Sequence, residues 1–127
     1  MISELEGLRV TVDRVFHVPH LEAPEDKPFP FVYFLTLHND SGVTVTIRAR
    51  KWVVSDVCGE KVVVEGDGVV GKFPRLMPGE TFSYNSYHVI GVDSIAEGAF
   101  FGVTDDGDVV FTRIPAFEML APQDADR

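Results

Sequence analysis

Apolar and polar residues alternate along most of this chain with a period of two. Leu8, Val10, Val12, Phe16 and Val18 share one parity, while Arg9, Thr11, Asp13 and His17 take most of the other. Successive side chains of an extended strand point to opposite faces, so the spacing predicts a half-buried strand with Arg14 as its one misfit. Pro19, Pro24, Pro28 and Pro30, interspersed with Glu22, Glu25 and Asp26, predict a loop that cannot propagate a central ladder. A second strand is predicted over residues 31–38. There Phe29, Phe31, Tyr33, Leu35 and Leu37 line one face, and Val32 and Phe34 make the other partly apolar. That two-sided pattern predicts cover on both faces, from a second sheet or from a partner chain.

Asn39-Asp40-Ser41-Gly42 reads as a turn. Val43, Val45, Ile47 and Ala49 then alternate with Thr44, Thr46, Arg48 and Arg50, but Trp52 and Val54 carry the apolar signal at even positions. One extra residue is needed for such a switch, which predicts a β-bulge near Arg50-Lys51 and places Arg48, Arg50 and Lys51 outward together. Gly59 leads into a short valine-rich strand over 61–65, which runs into a loop spaced Gly66-x-Gly68-x-x-Gly71. Pro78-Gly79 suits the centre of a type II turn. Phe82, Tyr84, Ser86 and His88 alternate with Thr81, Ser83, Asn85 and Tyr87 to give an amphipathic strand. Gly91 and Gly98 bracket an expected loop before Ala99, Phe101 and Val103, and Asp106-Gly107 predicts a hairpin into residues 109–114. Residues 115–120 dock or extend a sheet edge. No window shows helical periodicity, so the expected fold class is all-β: an antiparallel immunoglobulin or fibronectin type III-like sandwich of about seven strands.

Composition narrows the picture. At 127 residues and 45% hydrophobic content the chain fits a single domain over 1–127, with its core at roughly 8–120 and a disordered tail at 121–127. The lone Cys58 makes no internal bridge, and no apolar run of membrane-spanning length or signal-peptide start is present, so a cytoplasmic, non-membrane setting is expected. A net charge of −9 argues against nucleic acid as partner.

One long motif is more specific than any of these features. Gly66-x-Gly68-Val69-Val70-Gly71-x-x-Pro74-x-Leu76-x-Pro78-Gly79-Glu80-x-Phe82-x-Tyr84-x-Ser86, with Arg50-x-Trp52 upstream and Asp106-Gly107 and Ile114-Pro115-x-Phe117 downstream, resembles the ApaG domain family. The resemblance covers roughly residues 8–120. It implies a fibronectin type III-like sandwich, a bacterial protein linked to cobalt and magnesium tolerance, and no established catalytic activity. In eukaryotic proteins similar domains accompany F-box and polymerase-interacting regions and are regarded as interaction modules. The chain departs from the family pattern in two places: Lys51 stands where many members have His, and Tyr87-His88 where they have Gly-Cys.

Candidate chemistry is sparse. Gly66, Gly68 and Gly71 offer turn geometry first and a backbone cradle for an anion second, since Phe73-Pro74 starts no helix to supply charge. Arg48, Arg50 and Lys72 are the cations that would join such an anion site. Asp105, Asp106 and Asp108 are weak metal candidates that read foremost as a hairpin tip. No nucleophile, acid–base pair or zinc spacing is evident, and no cofactor is expected. The leading reading is therefore a non-catalytic protein-interaction domain. Its partner surface would draw on Phe29, Phe31, Val32, Phe34 and Trp52, the last expected foremost in the core, and self-association into a homo-oligomer is a further expectation. The alternative is a binder of pyrophosphate-containing nucleotides or polyphosphate.

Overall fold

A computed structural model describes residues 2–123. Among them the chain forms nine strands: β1 (Ser3–Glu4), β2 (Leu8–His17), β3 (Phe29–Asn39), β4 (Val45–Asp56), β5 (Lys61–Asp67), β6 (Arg75–Leu76), β7 (Thr81–Ile90), β8 (Ser94–Thr104) and β9 (Val109–Met119). A sheet ordered β1-β9-β8-β4-β5, with β6 also on β4, faces a three-stranded sheet ordered β2-β3-β7. All pairings are antiparallel except β1 on β9. The all-β sandwich expected from the alternation is thus the architecture, and its long strands number the expected seven. Of the tail, residues 124–127 lie outside the described residues. The described part contains no helix long and apolar enough to cross a membrane.

Three bulges decide which residues face inward. In β2 the register shifts between Val12 and Arg14, so the extra residue Asp13 exchanges the two faces. Phe16 was expected beside Leu8 on the buried face; instead it stands outside and stacks on Phe34 at 5.9 Å, with the Arg14 guanidinium 4.8 Å from its ring centre. In β4 the shift lies between Ile47 and Ala49, which makes Arg48 the extra residue, two positions before the expected site. Opposite Ala96 and Gly98, β9 carries its own extra residue at Pro115-Ala116, where a proline without an N–H interrupts no ladder bond.

The core fills the space between the sheets. Leu35, Leu37, Val45, Ile47, Val69, Ala96, Phe100 and Met119 are fully buried, and Trp52 nearly so. The expected loop between Gly91 and Gly98 is shorter than the glycines suggested, because β8 starts at Ser94. Gly98 serves packing instead: a Cβ there would sit 2.1 Å from the Lys51 carbonyl oxygen. Pro78-Gly79 makes the expected turn, with Gly79 at φ 90° and the Glu80 N–H donating to the Met77 carbonyl at 2.9 Å.

Asn39 at the end of β3 is buried and fully engaged. Its Nδ2 donates to the carbonyls of Val43 and Leu76, both at 2.8 Å, while Oδ1 accepts from the Ser41 hydroxyl at 2.6 Å. The side chain clamps the β3–β4 turn to β6. Replacing Asn39 with Ala removes the Nδ2 donor from both carbonyls and leaves Val43 only the longer 3.1 Å bond from the Ser41 hydroxyl, so urea unfolding is expected to show a loss of about 2–3 kcal/mol.

Candidate functional site

The two sheets differ in width, and the site follows from that. β5 is the outermost strand of the wider sheet, and its inward side chains Val62 and Val64 have no strand opposite them. A cleft of about 670 Å³ opens there, between β4 and β5 on one side and β3 and β7 on the other. Because Arg48 is the bulged residue, Arg50, Trp52 and Val54 all point into it from β4. Tyr33, Ser86 and His88 form the opposite wall.

The proline-rich segment covers one end. The Lys27 ammonium reaches the Glu60 carboxylate at 2.9 Å, and the Tyr87 hydroxyl donates to the Glu22 carbonyl at 3.1 Å. Gly91 lets the segment settle closely, since a Cβ there would meet the Asp26 carbonyl oxygen at 2.6 Å. Glu22, Lys27, Asp56 and Glu60 thereby form a polar rim around an interior that is apolar apart from Arg50 and Ser86.

The floor is an aromatic box. Ring centres of Trp52 and His88 lie 4.6 Å apart, those of Tyr33 and His88 4.7 Å, and those of Tyr33 and Trp52 4.9 Å; Phe117 closes the group at 5.8 Å from both Tyr33 and Trp52. His88 Nε2 and Trp52 Nε1 are buried with no hydrogen-bond partner among the described residues. Burial in this box pushes the His88 imidazole down from 6.5 to about 4, and burial likewise raises the phenols of Tyr33 and Tyr84.

Arg50 is the cation inside the cleft. Its Nη1 donates to the Asp67 carbonyl at 2.8 Å and to the Gly68 carbonyl at 3.2 Å. Gly66 makes room for it: a Cβ at that position would lie 2.8 Å from both Nη1 and Nη2. The first glycine of the motif therefore seats a guanidinium.

The remaining residues singled out by the sequence are scattered. Arg48 points away from Arg50 and lies 5.5 Å over the Phe73 ring, so the two do not share the outward face expected of them. Gly68 and Gly71 shape a tight corner, with φ of 64° and 80°, and Val70 between them is also left-handed at 44°. In that corner the Gly68 N–H donates to the Arg48 carbonyl at 2.7 Å, and Val69 and Lys72 exchange N–H donors at 2.8 and 2.9 Å. Those amides point into the fold, and Lys72 stands exposed. Asp105 pairs with Arg75 at 2.6 Å, and Asp106-Gly107 makes the hairpin tip to Asp108, with Gly107 N–H on the Thr104 carbonyl.

The expected partner surface divides. Phe31 and Trp52 are buried, Trp52 in the cleft floor, and Phe29 packs beside His17 at 5.9 Å, whereas Val32 and Phe34 lie outside with Phe16 and Tyr87. What the alternation missed is the cleft wall itself. Val62-Val63-Val64 is apolar on both faces although it sits in an edge strand, and that excess was the available signal.

Comparison with known proteins settles the family. The ApaG domain model matches residues 19–102. This chain belongs to the ApaG domain family. It is 37% identical over 102 residues to Protein ApaG of Stenotrophomonas maltophilia, covering 80% of each chain, and 36% identical over 129 residues to Protein ApaG of Rhodospirillum centenum, covering 100% of this chain and 98% of that one. Among solved structures it resembles the putative ApaA protein from Bordetella pertussis, with a TM-score of 0.79 at 26% identity over 94% of this chain and 98% of the other.

Two measurements test this geometry. Gly66→Ala displaces the Arg50 guanidinium from its two carbonyls and is expected to cost about 1–3 kcal/mol in chemical unfolding. For His88, the unfolded chain binds a proton between pH 6.5 and about 4 that the folded chain refuses. Stability should therefore fall as pH drops through that interval, by about 3 kcal/mol in all, and urea unfolding of His88→Phe should lack most of this fall.

Proposed function

We propose that this ApaG-family chain is a non-catalytic protein-interaction domain that seats an apolar side chain of a protein partner in the cleft. The observation that carries the reading is the uncovered inner face of β5: Val62 and Val64 are 37% and 40% exposed inside a concave site of side-chain size. An apolar group entering there would be removed from water on several sides at once. Glu22, Asp56 and Glu60 outnumber Lys27 at the rim, which in a chain of net charge −9 suits a partner that carries Lys or Arg beside the inserted residue.

The absence of catalysis in this reading rests on the titrating groups. His88 stays neutral inside an aromatic box, and the Tyr33 phenol is held above its ordinary range, so neither is poised for proton transfer near neutral pH. The exposed, unbridged Cys58 fits a reducing compartment such as the cytoplasm. On this reading the family's link to cobalt and magnesium tolerance runs through a protein contact; Asp105 of the hairpin is already committed to Arg75.

A photo-crosslinking residue placed in living cells at position 64, and separately at the exposed Val109 remote from the cleft, tests the reading. Adducts to one protein from position 64, lost on Val62→Glu and absent from position 109, are expected. No adduct at position 64, or equal adducts at both, would dismiss the cleft as the docking element.

A further inference from the structure

The free edge of β5 carries a pattern that the cleft does not use. Asp56 N–H donates to the Glu60 carbonyl at 2.9 Å, and Gly68 N–H donates to the Arg48 carbonyl at 2.7 Å. Both pairs fall on the register that sets Trp52 against Val64 and Val54 against Val62. In an antiparallel ladder the residues that exchange bonds with one neighbour alternate with those that face away from it. Even-numbered residues of β5 are thus bonded to β4, and the N–H and C=O groups of Lys61, Val63 and Glu65 point to the open side. No strand covers that side, because β5 ends the sheet. The same residues are exposed, Val63 at 53%, and among the described residues neither Lys61 nor Glu65 makes an ion pair.

The sequence across this edge, Lys61-Val62-Val63-Val64-Glu65, is complementary to itself when reversed. We propose that β5 pairs with β5 of a second copy of this chain, antiparallel about a twofold axis at Val63. In that register Lys61 lies opposite the partner's Glu65 and Glu65 opposite the partner's Lys61, while Val63 meets Val63 and Val62 meets Val64. Every outward-pointing donor and acceptor of Lys61, Val63 and Glu65 is then matched, giving about six new backbone hydrogen bonds. Sliding the pairing by two residues in one direction sets Lys61 against Val63 and Glu65 against Gly59; in the other, Lys61 meets Asp67 but Val63 meets Glu65, so only the register centred on Val63 keeps the valines together and the charges paired at once. An isologous contact of this kind closes at two copies and leaves no further edge of β5 to propagate. It also places the two clefts on one side of the joined sheet, with the Val62–Val64 walls forming a continuous apolar strip.

One strand from each copy makes a small interface, so dimerisation in the micromolar range is expected. Sedimentation velocity of the full chain across a concentration series should show a monomer–dimer equilibrium. Glu65→Lys, which sets the introduced lysine against the partner's Lys61, should weaken the dimer about tenfold. The exchange Lys61→Glu with Glu65→Lys should restore affinity to within about threefold, because it keeps opposite charges facing one another. Val63→Cys in a Cys58→Ser background should form a disulfide-linked dimer on mild oxidation, and Val109→Cys in the same background should not. Unchanged thermal unfolding of each variant at low concentration separates loss of pairing from loss of fold. A protein that stays monomeric at high micromolar concentration, a dimer indifferent to Glu65→Lys, or a charge exchange that fails to restore it would overturn the proposal.

Discussion

A strand offers only two faces, and a single additional residue exchanges them. The inserted Arg48 does this in β4: Val45 and Ile47 fill the core from one parity, and Arg50, Trp52 and Val54 face the same way from the other. Without that exchange Trp52 would stand in solvent and Lys51 would be driven between the sheets. The cleft, the aromatic box and the seat of Arg50 under Gly66 all depend on the shift. Sheet twist and close packing then hold the exchanged register, since slipping back would bury charge and expose a large aromatic.

Unequal sheet width is the second determinant. A five-strand path against three strands leaves the outermost strand with one uncovered face and one unpaired edge. These are separate resources. The face holds Val62 and Val64 and looks into the cleft, whereas the edge presents backbone groups of Lys61, Val63 and Glu65. A domain with a small repertoire of reactive groups can therefore offer two distinct surfaces from one seven-residue strand.

Much of this was legible in the sequence, and the remainder was hidden for identifiable reasons. Period-two alternation located the long strands, and Pro78-Gly79 and Asp106-Gly107 located turns, because these signals are local. A parity switch in β4 was visible from Ile47 and Trp52, yet its position was not, since only cross-strand pairing with β8 fixes which residue is extra. In β2 the same kind of switch is hidden in the pattern, because Phe16 is as apolar as a core residue at that position would be, and Arg14 is the one visible misfit. The glycine motif was legible as turn geometry, but not in what each glycine does. Its spacing resembles a phosphate cradle, but Gly66 accommodates a side chain, Gly68 lies so close to Lys72 that a Cβ would sit 2.3 Å from its carbonyl oxygen, and Gly71 completes a left-handed corner. Those are three different steric demands, and spacing alone does not distinguish them from one shared ligand.

The chain contains one tryptophan, and the fold sets its indole against the His88 ring on the cleft floor. That placement makes the protein its own optical probe. Emission from a single shielded indole reports one location, and an imidazole in contact with it becomes a quencher when it gains a proton. Light from Trp52 therefore reads both the occupancy of the cleft and the charge of its floor, with no label attached.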